Sequence, residues 1–123
     1  MRVRGVYGIG VASSDLDILW NLDQNPQWLE NRWVPVAGDG LGDQCLVVCG
    51  DSHLPGGAII FIDVAEDPNA ASYLVASNLL RFLRFLFEKE LGVKGWPFDE
   101  GFVISADPEI GEMGDRSLLP WNR

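Results

Sequence analysis

Three apolar segments near the middle of the chain constrain its fold more than any other feature. They cover residues 33–37, 44–50 and 58–64 of the 123-residue sequence, and the third is its most apolar segment. All three are rich in the β-branched and aromatic residues that favour strands. The connections between them are shorter than the dozen or so residues that a parallel crossover needs. The spacing therefore predicts three neighbouring antiparallel strands.

A long helix is predicted after these strands. Residues 78–91 follow Ser77, a residue type that caps helices, and precede Gly92, which suits the left-handed stop position. At 100° per residue a polar stripe is formed by Ser77, Arg81, Arg84 and Glu88. We expect the apolar residues to cover the sheet: Leu79, Leu80, Phe82, Leu83, Leu86, Phe87 and Leu91. Phe85 falls on the polar arc, where it would contact a partner or be covered by the chain's own tail.

Shorter elements are predicted on either side. They are strands at 3–12, 72–76 and 102–106, a helix at 16–22 capped by Ser14 or Asp15, and a helical turn at 27–32 with Trp28 and Leu29 facing inward. Strands that cluster first and a long helix that follows indicate an α+β fold. We expect one domain over residues 1–123, with a central, mostly antiparallel sheet on which one long amphipathic helix and short helices pack.

The glycine-rich segment between the first two apolar segments could be a phosphate cradle, a metal loop or a tight turn. A phosphate cradle opens a helix, whereas this segment runs into a strand and contains no Lys or Arg. A calcium loop needs closely alternating oxygen ligands, which Asp39 and Asp43 do not provide. A tight turn fits best, because glycines allow positive φ and aspartates bond nearby backbone N–H groups. No metal or other cofactor is expected.

The sequence gives little support for other catalytic arrangements. The single histidine, His53, is adjacent to Ser52, and neighbouring side chains point apart, which is poor geometry for proton transfer. Cys45 and Cys49 are too far apart on one strand to form a disulfide, so we expect reduced, buried thiols. The sequence favours a protein that is not an enzyme.

The charge of the chain limits its partners. Eighteen acidic residues against nine basic ones give a net charge of −9, and residues 99–115 contain acids but no base. Nucleic acid and anionic membranes are therefore poor partners, whereas a basic protein is a good one. No apolar segment approaches the roughly 20 residues needed to span a bilayer, and the start of the chain does not look like a signal peptide. A cytoplasmic location is expected.

The turn also resembles the signature of the SUKH superfamily, a group of cell-wall-assembly-regulator-like and bacterial immunity proteins. That signature is an aromatic residue, an apolar-Pro-apolar step and a small-Asp-Gly-x-Gly-Asp turn that leads into a strand. The matching positions are Trp33, Pro35, Ala37, Gly38, Asp39, Gly40, Gly42 and Asp43. Most members open with a helix before the first strand, and this chain begins almost at the strand, so it would be a compact or N-terminally short member.

The resemblance implies an α+β fold and a non-enzymatic protein that binds and neutralises a toxin, often a nuclease. The acidic balance suits a basic partner. The expected partner surface combines aromatic anchors with acids of the tail: Phe85, Trp96, Asp99, Glu100, Asp107, Glu109 and Glu112. Two alternatives stay open. One is a general interaction scaffold that forms homodimers through residues 58–64 or an exposed sheet edge, and the other is a small metal- or ligand-binding enzyme that uses its carboxylates and His53.

Overall fold

A computed structural model of the chain describes residues 1, 3–9, 16–50, 54–113 and 115–122. Its centre is a five-stranded sheet whose strands are adjacent in chain order. They are β1 (Gly5–Val6), β2 (Trp33–Gly38), β3 (Gln44–Val48), β4 (Ile59–Ile62) and β5 (Tyr73–Ala76). Every neighbouring pair is antiparallel, and the short connections between β2, β3 and β4 favour this pairing. The predicted antiparallel pairing is confirmed, and the class of the fold is α+β.

Along the chain, helices lie before and after the strands β2 to β5. They are α1 (Ile18–Gln24), α2 (Pro26–Glu30), α3 (Leu79–Glu90) and α4 (Glu100–Ala106), followed by 3₁₀ helices at Pro108–Glu112, Arg116–Leu118 and Pro120–Asn122. The strands β4 and β5 are buried at every position. Because successive side chains of a strand point to opposite faces, both faces of this part of the sheet are covered. Because β4 lies between β3 and β5, it has no free edge at which the strand of a second copy could pair.

Two helix caps differ from the prediction. Asp17 caps α1, and its Oδ1 accepts hydrogen bonds from the backbone N–H of Leu19 at 2.8 Å and of Trp20 at 3.2 Å. The predicted caps, Ser14 and Asp15, lie outside the described residues. Asn78 rather than Ser77 caps α3, through a 2.8 Å bond from the backbone N–H of Arg81. The predicted stop is confirmed, because Gly92 has φ +91° and its N–H bonds the carbonyl of Lys89.

Four further expectations are corrected. The segment predicted as a strand at 102–106 belongs to α4, whose N-cap, Asp99, accepts a bond from the backbone N–H of Phe102 at 2.9 Å. In α2 only Trp28 faces inward, and Leu29 is exposed. Cys49 is exposed rather than buried, although both thiols are free, and burial raises the pKa of Cys45. The strand predicted at 3–12 is limited to β1 among residues 3–9, and residues 10–12 lie outside the described part.

The buried face of α3 is the largest correction. Phe82 and Phe85 are the buried residues of the helix. Phe85 is stacked on Trp96 with ring centroids 5.5 Å apart, so the chain that follows α3 covers it. Leu86 is half-buried, and the other residues assigned to the covering face are exposed: Leu79, Leu80, Leu83, Phe87 and Leu91. The prediction of one long amphipathic helix with a wide buried face is not confirmed.

Candidate functional site

The signature turn joins β2 to β3 at the middle of the sheet, and its two aspartates bind backbone groups. The carboxylate of Asp39 accepts a 2.7 Å bond from the N–H of Leu41, and its own N–H bonds the carbonyl of Asp43 at 3.2 Å. The carboxylate of Asp43 accepts a 3.1 Å bond from the N–H of Val64, just after β4. The prediction that Asp39 caps the backbone of a tight turn is confirmed, whereas Asp43 bonds the backbone after β4 and so links the turn to the next connection. Trp33 and Pro35 are buried in β2 ahead of the turn, as expected for residues that brace it.

Each glycine of the turn is required by its surroundings. Gly40 and Gly42 have φ of +80° and +112°, a region that residues with a Cβ rarely adopt. Gly38 is limited by space instead, because a Cβ there would lie 2.0 Å from the Tyr7 hydroxyl oxygen and 3.2 Å from the carbonyl of Asp43. The glycine spacing of the signature is therefore explained by the turn alone.

Replacement of Gly38 by alanine tests this close contact. We expect it to lower the free energy of unfolding by about 1–3 kcal/mol, the usual effect of overpacking. The matched control is Gly56→Ala, where no atom lies within 4 Å of the added Cβ and the expected change is within about 0.5 kcal/mol. In a Tyr7→Phe background, which lacks the clashing oxygen, the effect of Gly38→Ala should become smaller. Equal effects in both backgrounds, measured by urea unfolding, would contradict the contact.

The carboxylates around the turn repel one another. Partial burial is the main cause that raises the pKa of Asp43, the nearby charges of Asp39 and Asp63 raise it further, and the bond from Val64 opposes them. No group of three or more His, Cys, Asp or Glu residues within the described ranges is arranged to hold a metal ion. His53, which the enzyme alternative would use, and its neighbour Ser52 lie outside those ranges.

Three residues of the predicted partner surface are in the core instead. Phe85 and Trp96 stack on each other, and the Trp96 indole N–H donates a 2.7 Å bond to the carbonyl of Val75 in β5. Asp107 is fully buried, where its carboxylate accepts bonds from the N–H of Ser77 at 2.7 Å and from its hydroxyl at 2.6 Å. These three side chains hold the tail against β5 and α3, so they cannot be surface anchors in this structure.

The other four residues of that surface are exposed. They are Asp99, Glu100, Glu109 and Glu112, which lie at the start of α4 and in the following 3₁₀ helix. Asp99 also has a structural part as the N-cap of α4. Their charges are thus available to a partner, as the sequence suggested.

The exposed side of α3 is a surface that the sequence prediction missed. We define the apolar α3 face as Leu79, Leu80, Leu83, Phe87 and Leu91, which are 40–78% exposed. Positions three and four apart lie on the same side of a helix, so Leu80, Leu83 and Phe87 are neighbours. A groove of about 530 Å³ runs beside this face and is lined by α3 and by residues 3–6 at the edge of the sheet. Val6 of that edge is also exposed.

Comparisons with protein-family models, with curated proteins and with solved structures found no match to this chain. The resemblance to the SUKH superfamily therefore continues to depend on the residues of the signature turn. Among the helices of the described residues, none is both long and apolar enough to cross a membrane.

A signal for the apolar α3 face was present in the sequence. Phe82 and Phe85, together with the five large apolar residues of the exposed face, make the apolar arc of α3 wider than its buried side. A helix of this kind is either enclosed or presents apolar surface to a partner. The sequence pattern favours the first case, whereas in the structure five of these residues are exposed.

Proposed function

We propose that this protein is a non-enzymatic binding protein, an immunity protein that neutralises a protein toxin in the cytoplasm. The partner is a basic protein, such as a nuclease, and the apolar α3 face with the exposed acids of the tail provides the contact. The observation that carries the proposal is the apolar α3 face. Contiguous exposed apolar surface of this kind is uncommon on monomers and is typical of interaction sites.

The apolar α3 face provides the features of an interface centre. Phe87 is an aromatic residue that is 67% exposed, and leucines lie one helical turn away on either side of it. Aromatic anchors surrounded by apolar contacts contribute most of the binding energy in many protein complexes. The apolar exposure continues after the helix at Val93 and Phe98. Phe98 immediately precedes the acids Asp99 and Glu100, so apolar and acidic groups are adjacent there.

Charge supports a basic partner. The chain has a net charge of −9, and the exposed acids at positions 99, 100, 109 and 112 are concentrated in α4 and the following 3₁₀ helix. An acidic surface attracts a basic protein over a distance and mainly raises the association rate. The same charge disfavours a nucleic acid as partner.

The hydrogen bonds of the two turn aspartates also agree with a binding function. The Asp39 and Asp43 carboxylates, which an enzyme at this turn would use, each accept a backbone hydrogen bond: Asp39 from Leu41 within the turn, and Asp43 from Val64 after β4. Both carboxylates thereby stabilise the backbone conformation around the turn. This supports the non-enzymatic proposal over the alternative of a small enzyme that uses these carboxylates.

Co-expression with the protein encoded by the neighbouring gene tests the proposal. We expect the wild type to be captured with that protein and to protect cells from it. Phe87→Glu should abolish capture and weaken affinity at least about tenfold, because it places a charge at the centre of the apolar contact. Leu41→Glu is the matched control, since Leu41 is 82% exposed and lies outside the face. Full protection by Phe87→Glu, or loss of protection in both variants, would contradict the assigned surface.

A second variant isolates the charge contribution. Glu100→Gln, Glu109→Gln and Glu112→Gln combined remove three exposed acids while keeping Asp99, the cap of α4. We expect the association rate to fall by about tenfold at low salt and the difference to shrink near 0.5 M salt, where screening is strong. An association rate that does not change at low salt would show that these acids do not guide the partner.

A further inference from the structure

A second cavity lies beneath the signature turn, and nothing in the proposed function uses it. This turn cleft has a volume of about 490 Å³, within the range of small-molecule sites. Its lining comes from the sheet edge, from α1 and from the turn: Arg4, Gly5, Tyr7, Leu16, Trp20, Asn21, Gly38, Gly40, Gly42 and Gln44. The cleft shares only Arg4 and Gly5 with the groove beside α3.

A buried amide pair gives the turn cleft a polar part. The side-chain NH₂ of Asn21 donates a 2.9 Å bond to the carbonyl of Asp17, which fixes the orientation of that amide. The Asn21 Oδ1 therefore faces Gln44 and accepts a 3.3 Å bond from its Nε2. Gln44 is 8% exposed, and among the described residues its Oε1 has no hydrogen-bond partner. A buried acceptor without a hydrogen bond is energetically unfavourable. A ligand group that donates a hydrogen bond to it would therefore gain binding free energy.

Arg4 and the aromatic residues define the rest of the site. The Arg4 guanidinium lies over the turn, because a Cβ added at Gly40 would be 3.9 Å from its Nη1. In the part of the chain that the structure describes, the recorded ion pair is between Arg84 and Glu88, so Arg4 is not neutralised by a direct salt bridge there. Trp20 is 42% exposed and lines the cleft together with Tyr7. Aromatic surfaces with a few placed polar groups are typical of small-ligand sites.

We propose that the turn cleft binds a small aromatic carboxylate that also carries an N–H or O–H donor. The ring lies against Trp20, the carboxylate pairs with Arg4, and the donor bonds the Oε1 of Gln44. The last torsion of a glutamine side chain is soft, so the covered amide turns toward a ligand with little strain. The bond to Asn21 that weakens in this motion is a long one at 3.3 Å. The site does not depend on the α3 face or on a toxin partner.

Three probes separate the contributions: 4-aminobenzoate has both groups, benzoate lacks the donor, and aniline lacks the carboxylate. Binding is followed in the intact protein by NMR titration, with the indole N–H resonance of Trp20 as the local readout. We expect 4-aminobenzoate to shift this resonance and to bind about three- to tenfold more tightly than either of the other probes, as one added hydrogen bond or charged contact allows.

Substitutions at two positions assign the contacts. Gln44→Leu should remove the preference for 4-aminobenzoate over benzoate while leaving benzoate binding unchanged, and Gln44→Met repeats the test in case leucine disturbs the buried site. Arg4→Gln should remove the preference for 4-aminobenzoate over aniline. Arg84→Gln, a change at an arginine outside the cleft, is the control and should alter neither preference. The proposal is overturned if no probe shifts Trp20 up to about 10 mM, a concentration that detects even weak binding. Equal losses of benzoate and 4-aminobenzoate in both Gln44 variants would overturn it too.

Discussion

Replacing Phe85 by alanine is expected to lower the free energy of unfolding by about 3–5 kcal/mol, the range for removing a large aromatic side chain from a core. Phe85 is 2% exposed, is stacked on Trp96 with an interplanar angle of 11°, and has the ring of Phe102 at 6.2 Å. The truncation leaves a cavity between α3, α4 and the segment that joins them. It also removes a ring contact worth about 0.5–1.5 kcal/mol beyond burial.

Phe87 provides a matched control on the same helix. Its ring is 67% exposed, so Phe87→Ala should change stability by less than about 1 kcal/mol while weakening partner binding. Urea unfolding of both variants with a common m-value measures the difference. Similar losses for the two would mean that α3 buries a different side from the one described here.

The strands and the signature turn were predictable because their signals are local. Residues 33–37 and 58–64 contain continuous β-favouring sequence, and the turn between β2 and β3 has glycines where positive φ occurs. Short connections leave antiparallel pairing as the available topology. These features need no knowledge of distant contacts, so the centre of the sheet and the local backbone bond of Asp39 were predictable. The partner of Asp43, the N–H of Val64, lies 21 residues away and was not.

The buried side of α3 was not predictable from its charges. A helical wheel places Phe85 between Arg81 and Lys89, which suggested a solvated arc. In the structure the Arg81 guanidinium donates a hydrogen bond to the carbonyl of Ala106, and the Lys89 ammonium lies 5.9 Å from the centroid of the Trp96 ring. Long basic side chains can thus border a buried face while their charged ends find polar or aromatic partners.

The helix α4 shows how tertiary contacts and caps override propensity. Residues 102–106 contain Phe, Val and Ile, which favour a strand in isolation. Asp99 caps the segment as a helix, Val103 is fully buried, and Phe102 reaches the ring of Phe85. The pocket that receives these side chains is formed by residues distant in sequence, so its shape could not be read from the segment itself.

The candidate surface could be predicted only in part for the same reason. The exposed acids follow from composition, because charged residues without buried partners remain at the surface. The position of Asp107 depends on a contact across 30 residues of sequence to Ser77. Sequence reasoning had used Ser77 as a helix cap, and it had placed Asp107 with the exposed acids. One long-range pair therefore accounts for two of the corrections.

Asp107→Ala is expected to lower the free energy of unfolding by about 3 kcal/mol, because two buried donors lose a charged acceptor. Both oxygens of the carboxylate are engaged, one by the N–H of Ser77 and the other by its hydroxyl. These bonds join the end of β5 to the end of α4, and the N–H of Asp107 continues the helix by bonding Val103. Truncation therefore removes one of the links between the tail and the sheet and also leaves unpaired polar groups in the core.

A double-mutant cycle with Ser77→Ala separates the contact from general damage. Ser77→Ala removes the hydroxyl but keeps the backbone donor, so Asp107→Ala should be less destabilising in that background, with a coupling of about 1 kcal/mol or more. Glu109→Ala, an exposed acid two positions along the chain, is the control and should change stability by less than about 0.5 kcal/mol. Additive effects of Ser77→Ala and Asp107→Ala in urea unfolding would refute the pairing. A coupling energy of this size would show that Asp107 stabilises the fold through Ser77. The neighbouring exposed acids would then have no part in this contact and could bind a partner.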